Sequence, residues 1–474
     1  MDRQQLISNV VEEVLQRLGP GTAVATRPVA TGDGRSDRPG LFDDVNAAVQ
    51  AASHAQRQLA EGGVELRRGI CDLLKQVASE NAREWGRIEL EETKVGRLDH
   101  KIAKLDLLQG IPGVEFLETA CHSADEGVSL DEAAPWGVIG AITPVTHSIP
   151  TLTANAISMI AAGNALVVNA HPSGAKCAAM AVETYNRKIK EAFNIDPLIC
   201  VMDPPTLRTA EALFRHEGIA LLVVTGGPAV ARAAMKQGKR AIVAGPGNPP
   251  VVVDETADLD RAARSIIQGA GFDNNLLCIG EKEVFVVASV FDEMMTAMRR
   301  AGAIELTGEH TARLTDAAFT YQDGHYAVKK ELLGKDCEVL AQAAGAGAAA
   351  GTDLLFGETQ ESNPFVSEEQ MMPFVPFVRV RDFDEGLRLA IKHEHGFGHT
   401  AIIHSNNLAN ITRMGRAMNT TIFVVNGPCT AGLGMGGEGY PSYSIATPTG
   451  EGITNPLTFT RFRRMSVSGA LRMV

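Results

Sequence analysis

Hydrophobic and polar positions change their spacing along the chain. In the opening segment, MDRQQLISNVVEEVLQRLG, Leu6/Ile7, Val10/Val11, Val14/Leu15 and Leu18 recur every three to four residues, with Gln4, Glu12, Glu13, Gln16 and Arg17 between them. That period predicts an amphipathic helix over 1–19, ended by Gly19-Pro20. Over 20–40 the period vanishes into Gly, Ala, Thr, Pro, Asp and Arg, the composition of a flexible linker. Helical spacing returns from Phe42 to about Gly110, as in VNAAVQAASHAQRQLA.

Short apolar runs then alternate with helical patterns. WGVIGAITP, ALVVNAHP and IALLVVTGG predict strands, while TLTANAISMIAAG and GAKCAAMAVETYNRKIKEAF predict helices. Regular alternation at this spacing implies crossover units and a parallel sheet, hence an α/β fold. A second set of alternations runs from near Ala241 to about Val425, and GAGAAAG at 345–351 reads as small-residue filler. In the tail, the alternation Thr458-Phe459-Thr460-Arg461-Phe462 predicts an edge strand seeking a partner. The expected segments are an amphipathic helix 1–19, a linker 20–40, an α/β stretch 41–245 that includes 123–134, a second stretch 246–439 and a tail 440–474. There is no internal repeat.

Composition narrows the function classes. The 474 residues are 45% hydrophobic, enough for more than one core. With 44 basic against 56 acidic side chains, a net charge of −12 gives no broad attraction for nucleic acid or an anionic membrane. Seven cysteines without paired short spacing read as reduced thiols in a cytoplasmic compartment. No apolar run reaches membrane-spanning length.

One cysteine stands apart. Gly269-Ala270-Gly271-Phe272-Asp273-Asn274-Asn275-Leu276-Leu277-Cys278-Ile279-Gly280 puts Cys278 on a polar, glycine-rich turn entering the strand KEVFVVA. A nucleophilic thiol needs such accessibility, and it needs the thiolate form. On these residues alone, a buried small hydrophobe is the slightly favoured reading. Gly226-Gly227-Pro228, between the strand Ile219–Thr225 and the helical AVARAAMKQG, suits a phosphate at a helix N-terminus, although many such turns bind nothing. Lys392-His393-Glu394-His395-Gly396-Phe397-Gly398-His399 gathers histidines and an acid, but its glycines argue against a helix aligning them, and no metal is expected. Gly432 to Tyr440 reads equally as a phosphate cradle or a flexible loop.

GFDNNLLCIGEKEV, with PWGVIGAITPVTHSIPT, AISMIAAGNALVVNAHPS, VVTGGPAV and VNGPCTAGLGMGGEGY, resembles the CoA-acylating branch of the aldehyde dehydrogenase superfamily, over about Phe42 to Val467. The amphipathic start and linker resemble the aldehyde dehydrogenases packaged in bacterial microcompartments, particularly the propionaldehyde dehydrogenases of propanediol-type compartments. The resemblance implies a targeting helix 1–19, a Rossmann-type cofactor domain 41–245 with a β oligomerisation arm segment at 123–134, an α/β catalytic domain 246–439 and an oligomerisation segment 440–474. It implies that Cys278 attacks an aldehyde, that hydride leaves to NAD, and that coenzyme A cleaves the resulting thioester. Hydrolytic relatives use a glutamate in a Glu-Leu-Gly-Gly motif to activate water, and the matching Ala244-Gly245-Pro246-Gly247-Asn248 has none. A cleft without a carboxylate to prime water favours thiolysis.

The same register implies a dinucleotide held by Thr143, Pro144, His171, Pro172, Ser173, Thr225, Gly226, Gly227, Gly245, Pro246 and Gly247, with Glu369 on the nicotinamide ribose. His171 replaces the lysine of hydrolytic relatives. Many members present an asparagine to the oxyanion where this chain has Thr146 and His147. His147, Thr146 or the backbone N–H of Cys278 is the expected donor, and a histidine of 393–399 is a candidate to meet the CoA thiol. The expected partners are a short aldehyde (propionaldehyde, then acetaldehyde), CoA, compartment shell or core proteins through residues 1–19, and a second copy, as homodimer or homotetramer. The expected location is cytoplasmic, inside a bacterial microcompartment. A secretory or mitochondrial signal is disfavoured by Glu12 and Glu13, while packing of the helix on its own body or a sister subunit stays open. A hydrolytic enzyme, an acyl-phosphate reductase and a non-catalytic compartment component are the alternatives.

Overall fold

The computed structural model describes residues 38–322 and 324–473. The helix expected over 1–19 and most of the linker lie outside the described residues. Two compact units emerge: 38–77 with Pro112–Ala244 and 455–473, and Ala78–Ile111 with Gly245–Thr454. This departs from the expected division in two places. Residues 78–111 group with the second unit, as do 440–454, because helical periodicity fixes which face is buried but not which core it meets.

The first unit holds a parallel sheet of β1 (Leu41–Phe42), β2 (Val138–Thr143), β3 (Ala165–Ala170), β4 (Ile199–Met202), β5 (Leu221–Thr225) and β6 (Arg240–Ala244), in the order β1-β4-β3-β2-β5-β6. Strands β2, β3 and β5 are buried at every position, as expected where helices cover both faces. The helix Ser148–Ala161 is buried along all its residues, the polar ones among them, Ser148, Thr151, Thr153, Asn155 and Ser158, being small. Asn164 closes the turn that follows. Its Oδ1 accepts from the N–H groups of Trp136 (2.7 Å) and Gly137 (3.0 Å), and its Nδ2 donates to the carbonyls of Met159 (3.2 Å) and Phe459 (3.0 Å). Chain order proceeds from β2 outward through β3 and β4, then returns to β5 on the other flank, so the carboxyl ends of β2 and β5 form a topological switch point.

An antiparallel arm completes this unit. Gly127–Pro135 pairs with Ala120–Ala124 on one side and Thr460–Ser468 on the other. Thr458 and Phe459, expected in the strand, form a short 3-10 turn before it, and Phe462 is 92% exposed.

The second unit holds β7 (Pro250–Val253), β8 (Glu283–Val287), β9 (Ile304–Glu305), β10 (Leu355–Glu358), β11 (Phe374–Val380), β12 (Thr400–His404) and β13 (Ile422–Val425), all parallel, in the order β9-β10-β11-β8-β7-β12-β13. Side chains alternate across it. Val251, Val253, Val284 and Val286 face a core with Ile266, Phe291, Met294 and Met298; Val252, Phe285 and Val287 face another with Phe383, Leu387 and Met414. Burying each Phe or Met contributes about 1.5–3 kcal/mol. Among the described residues no helix is long and apolar enough to cross a membrane.

Candidate active site

Cys278 lies on the loop joining the helix Leu259–Gly271 to β8. Three successive residues of that loop, Asp273, Asn274 and Asn275, have left-handed backbones with φ of 50°, 56° and 62°. Each such residue costs on the order of 1–2 kcal/mol, least for Asp and Asn, and each is held by named partners. The Asp273 carboxylate accepts from the Arg97 N–H (2.8 Å) and pairs with the Lys104 ammonium, while its own N–H donates to His100 Nδ1 (2.9 Å). Asn274 Nδ2 donates to Gly334 O (3.0 Å) and Asp336 Oδ1 (2.8 Å). Asn275 Nδ2 donates to Glu281 O (2.9 Å). Residues 78–111 thus supply part of the clamp on the loop that carries Cys278.

Cys278 is part-exposed, and five of the other six cysteines are buried; only Cys121, on the arm, is exposed. Around Cys278 the site is assembled from segments that precede strands, at the amino edge of the sheet: Gly247 before β7, Glu281 and Lys282 before β8, Glu369 before β11 and His399 before β12. Gly247 is tight. A Cβ there would fall under 3.0 Å from the Cys278 carbonyl oxygen and 3.1 Å from His399 Cγ. The Gly247 N–H donates to Glu369 Oε1 (3.3 Å). The Glu281 carboxylate accepts from the Cys429 N–H (2.8 Å), and its Oε2 is buried without a partner.

Charge follows from this burial. Loss of solvent, followed by the nearby charge of Glu369, pushes the Cys278 thiol up to about 12, with Lys282 opposing. Burial raises Glu369, pushes Glu281 up to about 7 and holds Glu283 well above the carboxylate range. Burial and then the Lys282 charge lower His399 to about 4, so its ring is neutral at neutral pH, with Nε2 buried and unpartnered. The surroundings are therefore not free of carboxylates, as the 244–248 stretch had suggested. Glu369 and Glu281 are both present, each engaged by a backbone N–H.

The histidine-rich segment is split. His393 ends a helix, exposed His395 bonds through Nε2 to Ser367 O (2.7 Å), and only His399 reaches Gly247. Among the described residues no group of His, Cys, Asp and Glu is arranged to hold a metal. Gly436 to Gly439 form an exposed turn.

The remaining residues singled out in the sequence lie at the carboxyl edge of the first unit's sheet. Thr143 ends β2, with Pro144 next; Thr225 ends β5, with Gly226 and Gly227 leading into the helix Pro228–Met235; and His171, Pro172 and Ser173 follow β3. His171 N–H donates to Thr143 O (3.1 Å), and Ser173 N–H to His171 Nδ1 (3.1 Å). This edge fits a dinucleotide. Thr143 Oγ1 is buried with no partner among the described residues, and a Cβ at Gly227 would meet nothing within 4 Å, leaving open space at a helix N-terminus. Thr146 Oγ1 and His147 Nε2 bond each other at 3.2 Å, with His147 buried. Gly245, Pro246 and Gly247 belong to the second unit, where Gly247 is packed against the nucleophile.

The first unit carries an edge that fits a dinucleotide and the second a part-exposed thiol on a clamped loop, the two features a thiol enzyme of the nicotinamide-using class requires. The aldehyde dehydrogenase family matches residues 40–443. The acetylating acetaldehyde dehydrogenase EutE of Salmonella typhimurium is 42% identical over 475 residues, covering 99% of this chain and 100% of that protein. The CoA-propanoylating propanal dehydrogenase of Citrobacter freundii is 40% identical over 428 residues, 90% and 92% of the two chains. The structure of Rhodopseudomonas palustris propionaldehyde dehydrogenase with bound propionyl-CoA superimposes with a TM-score of 0.89 at 38% identity, covering 94% and 100%. The chain belongs to the aldehyde dehydrogenase family.

Proposed function

We propose that this protein is a CoA-acylating aldehyde dehydrogenase that converts a short-chain aldehyde, NAD and CoA to acyl-CoA and NADH. The observation that carries it is the part-exposed Cys278 on its clamped loop, in a chain similar along nearly its whole length to acetylating and propanoylating enzymes. The Cys278 sulfur attacks the aldehyde carbon as its proton leaves, and the oxygen that becomes anionic is met by the Cys278 backbone N–H, with Thr146 or His147 as the side-chain donor. Bound NAD, held by Thr143, Pro144, His171, Pro172, Ser173, Thr225, Gly226, Gly227, Gly245, Pro246 and Gly247 with Glu369 on its ribose, supplies the hydride acceptor. Loss of hydride leaves a thioester on Cys278. His399, neutral and with a vacant Nε2, accepts a hydrogen bond from the incoming CoA thiol, whose sulfur displaces Cys278. With Ala244 where hydrolytic relatives place their glutamate, and with Glu369 and Glu281 held by backbone N–H groups, water is the poorer nucleophile.

The test is NADH formation from acetaldehyde and propionaldehyde with and without CoA, with the product identified as thioester or acid. CoA-dependent turnover that Cys278→Ala abolishes is expected. Equal turnover without CoA would mean a hydrolytic enzyme, and phosphate dependence an acyl-phosphate reductase. A substrate series of about two to six carbons sets the chain-length preference.

Residues 1–19 are proposed as the signal that places the enzyme inside a microcompartment through shell or core proteins. Deleting them should keep turnover and abolish co-purification with compartments; unchanged packaging refutes it. The arm, with exposed Phe462 and Met465, is proposed to join copies into a homodimer or homotetramer, and a monomeric mass by light scattering would exclude this.

A further inference from the structure

Lys282 immediately precedes β8, four residues after Cys278, and is fully buried. Its Nζ donates to Asn275 O (2.9 Å), Leu277 O (3.2 Å) and Asn275 Oδ1. An ammonium carries three N–H groups and no acceptor, so three surrounding oxygens match its protonated form; a neutral amine would turn a lone pair toward one of them. A buried cation ordinarily contacts a carboxylate that offsets its lost hydration. Lys282 has no ion pair within 4 Å among the described residues; burial lowers its pKa, while Glu369, Cys278, Cys429 and Glu281 favour the charged form through space. A loop that needed only filling would be better served by methionine or leucine. The placement makes sense if the charge itself has a task.

Leu277 O belongs to the peptide whose nitrogen is Cys278 N. A hydrogen bond from a cation to that carbonyl polarises the peptide and makes the Cys278 N–H a stronger donor. We propose that Lys282 is a positioning residue for the thioester chemistry: it fixes and polarises the Leu277–Cys278 peptide and supplies the positive charge against which the thiolate and the oxyanion develop. This rests on the assignment of Cys278 as nucleophile. The charged groups facing Cys278 are Glu369 and Lys282, with Lys104 contributing from the helix Leu98–Asp106; those facing Lys282 also include Glu281, Glu283, Cys429 and His399.

The experiment uses the full chain and iodoacetamide, following alkylation of Cys278 against pH by peptide mass spectrometry, with exposed Cys121 as the internal reference thiol. Lys282→Gln retains N–H donors but loses the charge. Its Cys278 profile should move to higher pH, slowing alkylation at neutral pH by about tenfold, the effect of a one-unit shift, with Cys121 unchanged. In steady state kcat should fall by a similar factor while the KM for aldehyde stays within about twofold. Wild-type alkylation and turnover in Lys282→Gln would overturn the proposal. Should that variant not fold, Lys282→Arg decides: with the charge kept, the Cys278 profile should stay within about half a unit of wild type, and a profile raised by a unit or more overturns the proposal. Failure of the underlying assignment looks different, because Cys278→Ala would then retain CoA-dependent NADH formation whatever Lys282 does.

Discussion

Gly247→Ala should silence turnover in a protein that still folds. The added Cβ would sit under 3.0 Å from the Cys278 carbonyl oxygen, 3.1 Å from His399 Cγ and 3.3 Å from His399 Cδ2. None of these atoms is the free end of a flexible side chain. The carbonyl is backbone, in a loop gripped at Asn275 and Leu277 by Lys282. His399 is fixed at its N–H by Glu394 (2.8 Å) and at Nδ1 by Thr400 Oγ1 (2.9 Å). Relief must come from displacing the Cys278 peptide, and a shift of roughly 1 Å at a reacting group costs about 100-fold in rate. The overpacking itself should cost about 1–3 kcal/mol, within what a protein of this size tolerates. Steady-state NADH formation at saturating aldehyde and CoA reads the first effect, and a urea melt reads the second. A folded Gly247→Ala variant with kcat within threefold of wild type would refute the tight contact between Gly247 and the nucleophile's loop.

Glu281 should carry a pH signature. Its folded pKa, about 7, lies above the ordinary 4.5. The folded state therefore holds the proton more tightly, and stability is highest below pH 4.5 and is lost as pH rises toward 7, by about 3 kcal/mol in all. Glu281→Gln should flatten that loss, and melting curves at pH 5 and 8 that keep the wild-type difference would contradict it. Asn164→Ala strips four hydrogen bonds from buried groups and should destabilise by about 3–5 kcal/mol; a change under 1 kcal/mol in urea would count against the role given to this amide. Lys104→Met leaves the Asp273 carboxylate buried without its cation and should cost about 3–5 kcal/mol together with most activity. An unchanged urea midpoint would show that the other partners of Asp273 suffice.

The parallel sheets were legible because strands covered on both faces read as short apolar runs, as in Val138–Thr143 and Leu221–Thr225. Cys278 was legible because its turn is polar and glycine-rich. The company it keeps was not. Gly247 and Glu369 stand 122 positions apart and meet only because β7 and β11 run parallel in one sheet, bringing their entry loops to the same edge. Gly247 was singled out only through the register of the implied dinucleotide contacts, whereas its packing on the Cys278 carbonyl depends on how the loops cross. Glu281-Lys282-Glu283 misleads in the usual direction: three consecutive charges suggest a solvated face, yet all three are fully buried. A usable signal was present in Asp273-Asn274-Asn275, the residue types that tolerate left-handed backbone, immediately ahead of the thiol.

The arm strand Thr460–Ser468 imposes an order on biosynthesis. Its partner residues, such as Pro135, leave the ribosome some 326 positions earlier, which at about 5–20 residues per second means a wait of roughly 15–65 s. Throughout that interval the second unit receives all of its chain while the first lacks both the strand that covers Gly127–Pro135 and the turn whose Phe459 carbonyl meets Asn164. The half of the enzyme that begins first is therefore the half that finishes last. On a crowded polysome, its waiting edge is open to the equivalent strand of a neighbouring nascent copy, a route to exchanged arms that slow translation would favour.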